Sequence, residues 1–124
     1  MHESGENYLE TILILSQKMS TVRSIDVATE MGFSKPSISR AIGILKRDGL
    51  IEVDRHGALT LTSSGLSQAQ AIYNRHRLIR SFLIDILEVS EETAEIDACR
   101  IEHIISEETF ERISQSVLKN GTKT

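Results

Sequence analysis

The chain contains 124 residues, of which 40% are hydrophobic and 26% are charged, a composition typical of one globular domain or of two small ones. Its longest apolar run is Ile12–Leu15, whereas a transmembrane helix needs about 20 apolar residues, and the N-terminus lacks the pattern of a signal peptide. Cys99 is the single cysteine, which excludes an internal disulfide. We therefore expect a cytoplasmic protein with no membrane partner.

Fourteen Lys and Arg residues against eighteen Asp and Glu residues give a net charge of −4, which by itself argues against a nucleic-acid partner. The segment 31–47 nevertheless contains Lys35, Arg40, Lys46 and Arg47 and no acidic residue. A solvated helix face would also produce such a segment, and the charge pattern alone favours that simpler interpretation.

Apolar residues recur with helical spacing over most of the chain. A first amphipathic helix is predicted from an apolar stripe that runs from Tyr8 to Met19. Ser24 is a suitable N-cap for a second, short helix over residues 25–31, and Gly32 is a suitable residue to end it.

A third helix and a hairpin complete the predicted N-terminal half. Ser34 caps the helix, Pro36 lies in its first turn, where a missing N–H costs little, and the helix ends near Asp48. The apolar period then changes to two around a turn at residues 54–57, which predicts a short β-hairpin.

The second half of the chain is predicted to be entirely helical. A long helix starts at residues 62–64, and Ser90 caps a further helix that extends to about Ile105. Ser106, followed by two glutamates, caps a last helix. We therefore expect a mainly α protein in which residues 1–62 form three helices and a hairpin and residues 63–124 form helices only.

A short helix, a tight turn, a longer helix and a hairpin form the winged helix-turn-helix pattern, in which the N-terminal end of the longer helix enters the major groove. A three-helix packing module with a polar surface is the alternative, but the acid-free basic helix favours double-stranded DNA. A domain of this size neutralises few DNA phosphates, which gives weak binding by itself. We therefore expect a dimer that binds two half-sites of the DNA. The candidate DNA-binding residues are Ser34, Lys35, Pro36, Ser37, Ser39 and Arg40 at the groove, and Lys46, Arg47 and Arg55 at phosphates.

Cys99, Glu102 and His103 have i, i+3, i+4 spacing, which brings a thiolate, a carboxylate and an imidazole to one face of the predicted helix. His76 occupies an apolar-stripe position, where a polar ring needs a partner. Each residue alone is more simply interpreted as a packing or surface residue, but together they favour a metal site. From the first helix, Glu10 is a further candidate ligand, and Asn7 is a less certain one.

We do not expect an enzyme. A Cys99–His103 nucleophile pair would need an oxyanion hole near a loop or helix start, and both residues are predicted to lie in the middle of a helix. The alternatives to a metal-responsive regulator are a winged-helix regulator that responds to an organic ligand and a winged-helix module that acts through protein contacts.

Several sequence motifs of this chain resemble motifs of the iron- and manganese-dependent repressors, the diphtheria-toxin-repressor family. They are Asn7–Ile12, Val27-Ala28 with Ser34–Ser37, Arg47–Ile51, Leu61-Thr62 with Gly65, Arg75–Leu78, and Cys99–His103 with Ser106–Glu108. The resemblance implies a homodimeric, metal-activated transcriptional repressor of metal-uptake genes. It also implies a winged helix-turn-helix DNA-binding domain, which we place at residues 1–62, and a helical metal-binding and dimerisation domain, which we place at residues 63–124. Many members carry a third, SH3-like domain, and we expect this protein to be a short form without that domain, as in the manganese-responsive branch.

The same resemblance places Glu10, His76, Cys99, Glu102 and His103 on metal-ligand positions of the family. At position 99 the iron branch also has a cysteine. At position 7 the asparagine matches neither the manganese branch nor the iron branch. Arg80 replaces an acid and Glu95 replaces a histidine of the ancillary site of the iron branch, so the number of metals stays open. We expect Fe²⁺ or Mn²⁺ in the cell, with Zn²⁺ or Co²⁺ able to substitute, because a thiolate shifts preference away from Mn²⁺.

Overall fold

The computed structural model describes residues 3–122, and the chain divides into two compact units, residues 1–71 and 72–124. The mainly helical prediction is confirmed. The elements are α1 (Glu3–Lys18), α2 (Ser24–Met31), α3 (Lys35–Arg47), β1 (Ile51–Val53), β2 (Leu59–Leu61), α4 (Ser63–Ser81), a π-helical segment (Phe82–Ile86), α5 (Glu91–Ile101) and α6 (Glu107–Thr122). Among residues 3–122, no helix combines the length and apolar character that a membrane-spanning segment needs.

The first helices of the N-terminal unit begin and end close to the predicted positions. Met19 lies just after α1, and α2 starts at Ser24 itself, so that Arg23 and not Ser24 is the N-cap. The Arg23 backbone N–H donates to the Asp26 carboxylate at 2.9 Å, which stabilises this start without a serine cap. Gly32 ends α2 with a φ of +70°, a conformation that glycine adopts without steric cost.

The N-cap of α3 is the predicted one. The Ser37 backbone N–H donates to Ser34 Oγ at 3.4 Å, and Pro36 lies in the first turn. Helix α3 buries Ile38, Ile42 and Leu45 and contacts α1, α2 and β1. The N-terminal core also includes Leu9, Ile12, Val27 and Ile51.

Strands β1 and β2 form the predicted hairpin, with Ile51 opposite Leu61 and Val53 opposite Leu59. Asp54 organises the connecting turn because its Oδ1 accepts from the backbone N–H groups of His56 at 2.8 Å and Ala58 at 2.9 Å. Gly57 in this turn has a φ of +82°. The hairpin therefore has a defined tip with Arg55 in it.

The start of α4 packs tightly against the turn that follows α3. Thr62 Oγ1–H donates to the Gly49 carbonyl at 2.7 Å, and the Gly65 N–H donates to Thr62 Oγ1 at 3.0 Å. A Cβ atom at position 65 would overlap with the carbonyl oxygen of Leu50. Because this obstacle belongs to the backbone, moving side chains cannot remove it, and only glycine fits at position 65.

The C-terminal unit has its own core, formed by Ile79, Leu83, Ala94 and Ala98, with Phe82, Phe110 and Ile113 among the side chains packed against it. The predicted N-caps of α5 and α6 are confirmed: Ser90 Oγ accepts from the Thr93 N–H and Ser106 Oγ accepts from the Thr109 N–H. Ile104, in contrast, has 74% of its surface exposed.

Helix α5 is shorter than predicted. It ends at Ile101 instead of about Ile105, so that Glu102 is the C-cap and His103 lies in the following turn. The physical reason is the start of α6, since Ser106 must leave the helical conformation to act as an N-cap. The chain uses the residues between Ile101 and Ser106 to change direction.

Candidate functional site

The nine side chains predicted to contact DNA all lie in the N-terminal unit and are all exposed. Those at the groove end lie at the N-cap and in the first turns of α3, Lys46 and Arg47 lie in its last turn, and Arg55 lies at the hairpin tip. Ser34 Oγ–H donates to Ser37 Oγ at 3.0 Å, so these two hydroxyl groups already take part in capping. The charged donors of this surface are the side chains of Lys35, Arg40, Lys46, Arg47 and Arg55.

Most of the positive charge of α3 is not neutralised. Arg47 Nε lies 3.4 Å from Asp48 Oδ1, with both side chains largely exposed, and such a pair stabilises by less than about 1 kcal/mol. Among the described residues, Lys35, Arg40 and Lys46 have no ion-pair partner. A polyanion would therefore meet available charge on this helix.

The hairpin tip is held by backbone contacts. Besides the two N–H groups on Asp54, Arg23 Nε–H donates to the His56 carbonyl at 3.3 Å. The Ala58 N–H, followed by the His56 N–H, stabilises the ionised carboxylate and lowers the pKa of Asp54 below its usual 3.8. The turn that carries Arg55 is therefore held by hydrogen bonds to the Asp54 carboxylate and to the His56 carbonyl.

In the C-terminal unit, the structure brings Cys99, Glu102 and His103 together. One ligand atom from each residue lies within 4.8 Å of the others, although the last two follow α5 instead of belonging to it. The Cys99 residue is exposed, whereas the side chains of Glu102 and His103 are 0% exposed. The three residue types are those that bind transition metals such as iron and zinc.

Glu102 is the centre of this cluster. Its Oε2 lies 3.2 Å from His76 Nδ1 and its Oε1 lies 3.1 Å from His103 Nε2, but neither oxygen has a hydrogen-bond partner among the described residues. No lysine or arginine of the described residues pairs with it either. A buried carboxylate without such partners is costly, and a cation bound between these groups would offset that cost. The residues thus fit a metal ion.

His76 comes to the cluster from α4 and has a second contact on its other side. Its Nε2 lies 2.9 Å from Glu95 Oε1, and Arg80 Nε–H donates to Glu95 Oε2 at 2.9 Å. The resemblance placed Glu95 and Arg80 at ancillary-site positions of the iron branch, but the sequence did not predict the contact of Glu95 with His76. The i, i+4 spacing of His76 and Arg80 was visible, but no local signal connects either residue to a glutamate on α5.

Glu10 and Asn7 lie on α1, in the N-terminal unit. Glu10 is buried, with 8% of its surface exposed, and Asn7 is half-buried. Their assignment as metal ligands remains a prediction.

Two sequence models of domain families match the chain. The first, "Iron dependent repressor, N-terminal DNA binding domain", matches residues 1–59. The second, "Iron dependent repressor, metal binding and dimerisation domain", matches residues 62–121. The first description names DNA binding, and the second names metal binding and dimerisation.

Individual relatives are similar over nearly the whole chain. The iron-dependent repressor IdeR of Mycobacterium tuberculosis is 35% identical over 122 residues, which cover 97% of this chain and 52% of the relative. The transcriptional regulator MntR of Escherichia coli O157:H7 is 34% identical over 118 residues, which cover 95% of this chain and 76% of the relative. The chain thus spans about half the length of IdeR.

Solved structures of metal-dependent regulators have the same fold. The metal-dependent transcriptional regulator MtsR matches with a TM-score of 0.84 and 26% identity, over 91% of this chain and 53% of that chain. The manganese regulator SloR matches with a TM-score of 0.80 and 28% identity, over 91% and 53%. The winged-helix prediction is therefore confirmed, and the chain belongs to the iron-dependent repressor family of metal-dependent transcriptional regulators.

Proposed function

We propose that this protein is a repressor of metal-uptake or metal-homeostasis genes whose binding to DNA depends on a divalent transition metal. The observation that carries the proposal is the buried Glu102 carboxylate between two imidazole groups, next to the Cys99 thiol. In a member of this family, such a group of donors supports metal control and not catalysis. A cytoplasmic location is part of the proposal.

The proposed ligands are Glu10, His76, Cys99, Glu102 and His103, with Asn7 as a further candidate. In the cell we infer Fe²⁺ or Mn²⁺, since relatives are named for iron or for manganese. The thiolate and the imidazoles suit Fe²⁺, Co²⁺ and Zn²⁺ better than Mn²⁺, although availability can override affinity. The bound ion would supply positive charge that offsets the carboxylates of the site.

On the DNA side, we propose that the N-terminal turns of α3 read base edges in the major groove. Arg40 is the side chain best suited to a guanine, since it can donate two hydrogen bonds. The side chains of Lys46, Arg47 and Arg55 would contact phosphates. A homodimer would present two such helices to two half-sites, with residues 1–62 as the DNA-binding part and residues 63–124 as the metal-binding and dimerisation part.

A titration of DNA binding against metal tests the proposal. The wild-type protein is mixed with labelled DNA fragments enriched by its own binding, with a chelator or with Mn²⁺ or Fe²⁺ under anaerobic conditions. We expect metal to raise the affinity for DNA by at least tenfold. Equal affinity with and without metal would contradict metal control and would favour a regulator that responds to an organic ligand.

The variant His103→Ala separates a ligand from a packing residue. As a ligand, His103 is needed for metal activation, and the variant keeps a folded N-terminal unit because that unit has its own core in Leu9, Ile12, Val27 and Ile38. A packing role predicts the reverse, a lower melting temperature with the metal response intact. Melting temperature and metal-dependent DNA affinity, measured on the same sample, distinguish the two outcomes.

A further inference from the structure

Three side chains of the C-terminal unit form a continuous polar chain that ends at the metal cluster. Arg80 Nε–H donates to one oxygen of Glu95, and the other oxygen of Glu95 lies 2.9 Å from His76 Nε2. On the opposite side of the ring, His76 Nδ1 faces Glu102 Oε2 at 3.2 Å. His76 therefore lies between two carboxylates, of which only Glu95 is held by an arginine.

These contacts determine which nitrogen of His76 carries the proton. An ionised carboxylate can only accept hydrogen bonds, so the short contact to Glu95 requires a hydrogen on Nε2. In the neutral ring, Nδ1 then has a lone pair, and this lone pair faces an oxygen of Glu102. Two electron-rich atoms at this distance repel each other unless a proton or a metal cation lies between them, and a bound metal ion would take the place of the proton at Nδ1.

We propose that Glu95 and Arg80 are positioning residues, which fix the tautomer and orientation of His76 so that Nδ1 is its metal-binding atom; this inference rests on the proposed metal control. Glu95 has a side chain that is 57% exposed, and alone it would move between several rotamers. Arg80 holds one of its oxygens and leaves the other for the imidazole. Because the Arg80 and Glu95 side chains are 37% and 57% exposed, we expect the pair to contribute little to folding stability and to act mainly on the orientation of the His76 ring.

Direct titration of the metal-free full chain with Co²⁺ tests the proposal. Removing a carboxylate that orients a ligating histidine typically lowers metal affinity by about 10- to 100-fold. We therefore expect Glu95→Ala to weaken Co²⁺ binding by about that factor. Arg80→Gln should weaken binding less, because Glu95 can still accept from His76. The matched control is Glu92→Ala, which removes an exposed glutamate from the first turn of the same helix and should leave the affinity unchanged.

A second readout does not depend on metal. Nitrogen-15 NMR of the imidazoles in the metal-free protein, at a pH at which the His76 ring is neutral, should show His76 as the Nε2–H tautomer in the wild type and as a mixture in Glu95→Ala. Glu95→Gln should largely restore the wild-type tautomer, since the amide oxygen also accepts a hydrogen bond. A role in packing alone would lower the melting temperature and leave the tautomer unchanged.

The outcomes separate this inference from the proposed function. If the wild type binds Co²⁺ and Glu95→Ala binds it equally well, or if its tautomer is unchanged, the positioning role is wrong and metal control stands. If the wild type itself does not bind Co²⁺, the proposed function is wrong and this inference fails with it.

Discussion

The two units hold their polar site residues in opposite environments. In the N-terminal unit, the basic residues of α3 and the hairpin are exposed to water, where a charge costs nothing to keep. In the C-terminal unit, the carboxylate of Glu102 and the imidazole of His103 are entirely buried, where an uncompensated charge is expensive. The proposed DNA-binding surface therefore needs no partner to compensate its charge, whereas the proposed metal cluster would become more stable with a bound cation.

The largest expected effect comes from Glu102→Gln. The amide keeps the shape of the side chain but removes the negative charge, so we expect the affinity for Co²⁺ to fall by about 100-fold or more. The melting temperature of the metal-free protein should stay unchanged or rise, because a buried charge is removed. Calorimetric titration and circular dichroism measure both quantities.

The control for this variant is Glu92→Gln, which removes the same charge from an exposed position on α5. It should change neither the affinity for Co²⁺ nor the melting temperature. A clear loss of stability in metal-free Glu102→Gln would show that the carboxylate serves the fold, and the contrast between the two units would then disappear.

An intermediate effect is expected on the DNA surface. Arg40→Ala should weaken binding to a preferred sequence by about 1–3 kcal/mol and relax the sequence preference, because the donors to a base edge are lost. Lys46→Ala should weaken all sequences about equally and reduce the salt slope by about one. Fluorescence anisotropy over a range of salt concentrations distinguishes the two behaviours.

Arg112→Ala provides the matched control, since it removes an exposed positive charge from α6 in the other unit. Its DNA affinity should equal that of the wild type. If it weakens binding as much as Lys46→Ala does, overall charge and not the position on α3 accounts for the effect.

The smallest effect concerns the hairpin tip and its pH dependence. Since hydrogen bonds lower the pKa of Asp54 in the folded state below 3.8, the ionised carboxylate stabilises the turn above that pH. This stabilisation is lost as the pH falls through the lowered value. NMR should show the His56 and Ala58 amide signals moving with the titration of Asp54, and in Asp54→Ala this titration should be absent. Signals that do not respond to pH would contradict the assigned role.

Local signals predicted the N-terminal unit well. Ser34, Pro36 and Gly32 each act within one turn of their own position, so their roles could be derived from neighbours in the sequence. The predicted N-cap of α2, Ser24, was wrong by one residue. The N-cap is Arg23, whose backbone N–H donates to the Asp26 carboxylate.

The C-terminal site could be predicted only in part. The i, i+3, i+4 spacing correctly brought Cys99, Glu102 and His103 together, since Glu102, the C-cap of α5, still has helical backbone angles. The end of α5 and the contact of Glu95 with His76 depend on how separate helices pack, and no pattern within one helix contains that information.

The close contact at Gly65 also has a practical consequence for mutagenesis. A side chain at this position meets a carbonyl oxygen of the main chain, so all nineteen replacements should disrupt the packing of α4 on the turn after α3. Position 65 takes no part in either proposed site. Its variants would therefore serve as a misfolding standard in a library screen, against which a true loss of metal or DNA recognition is identified.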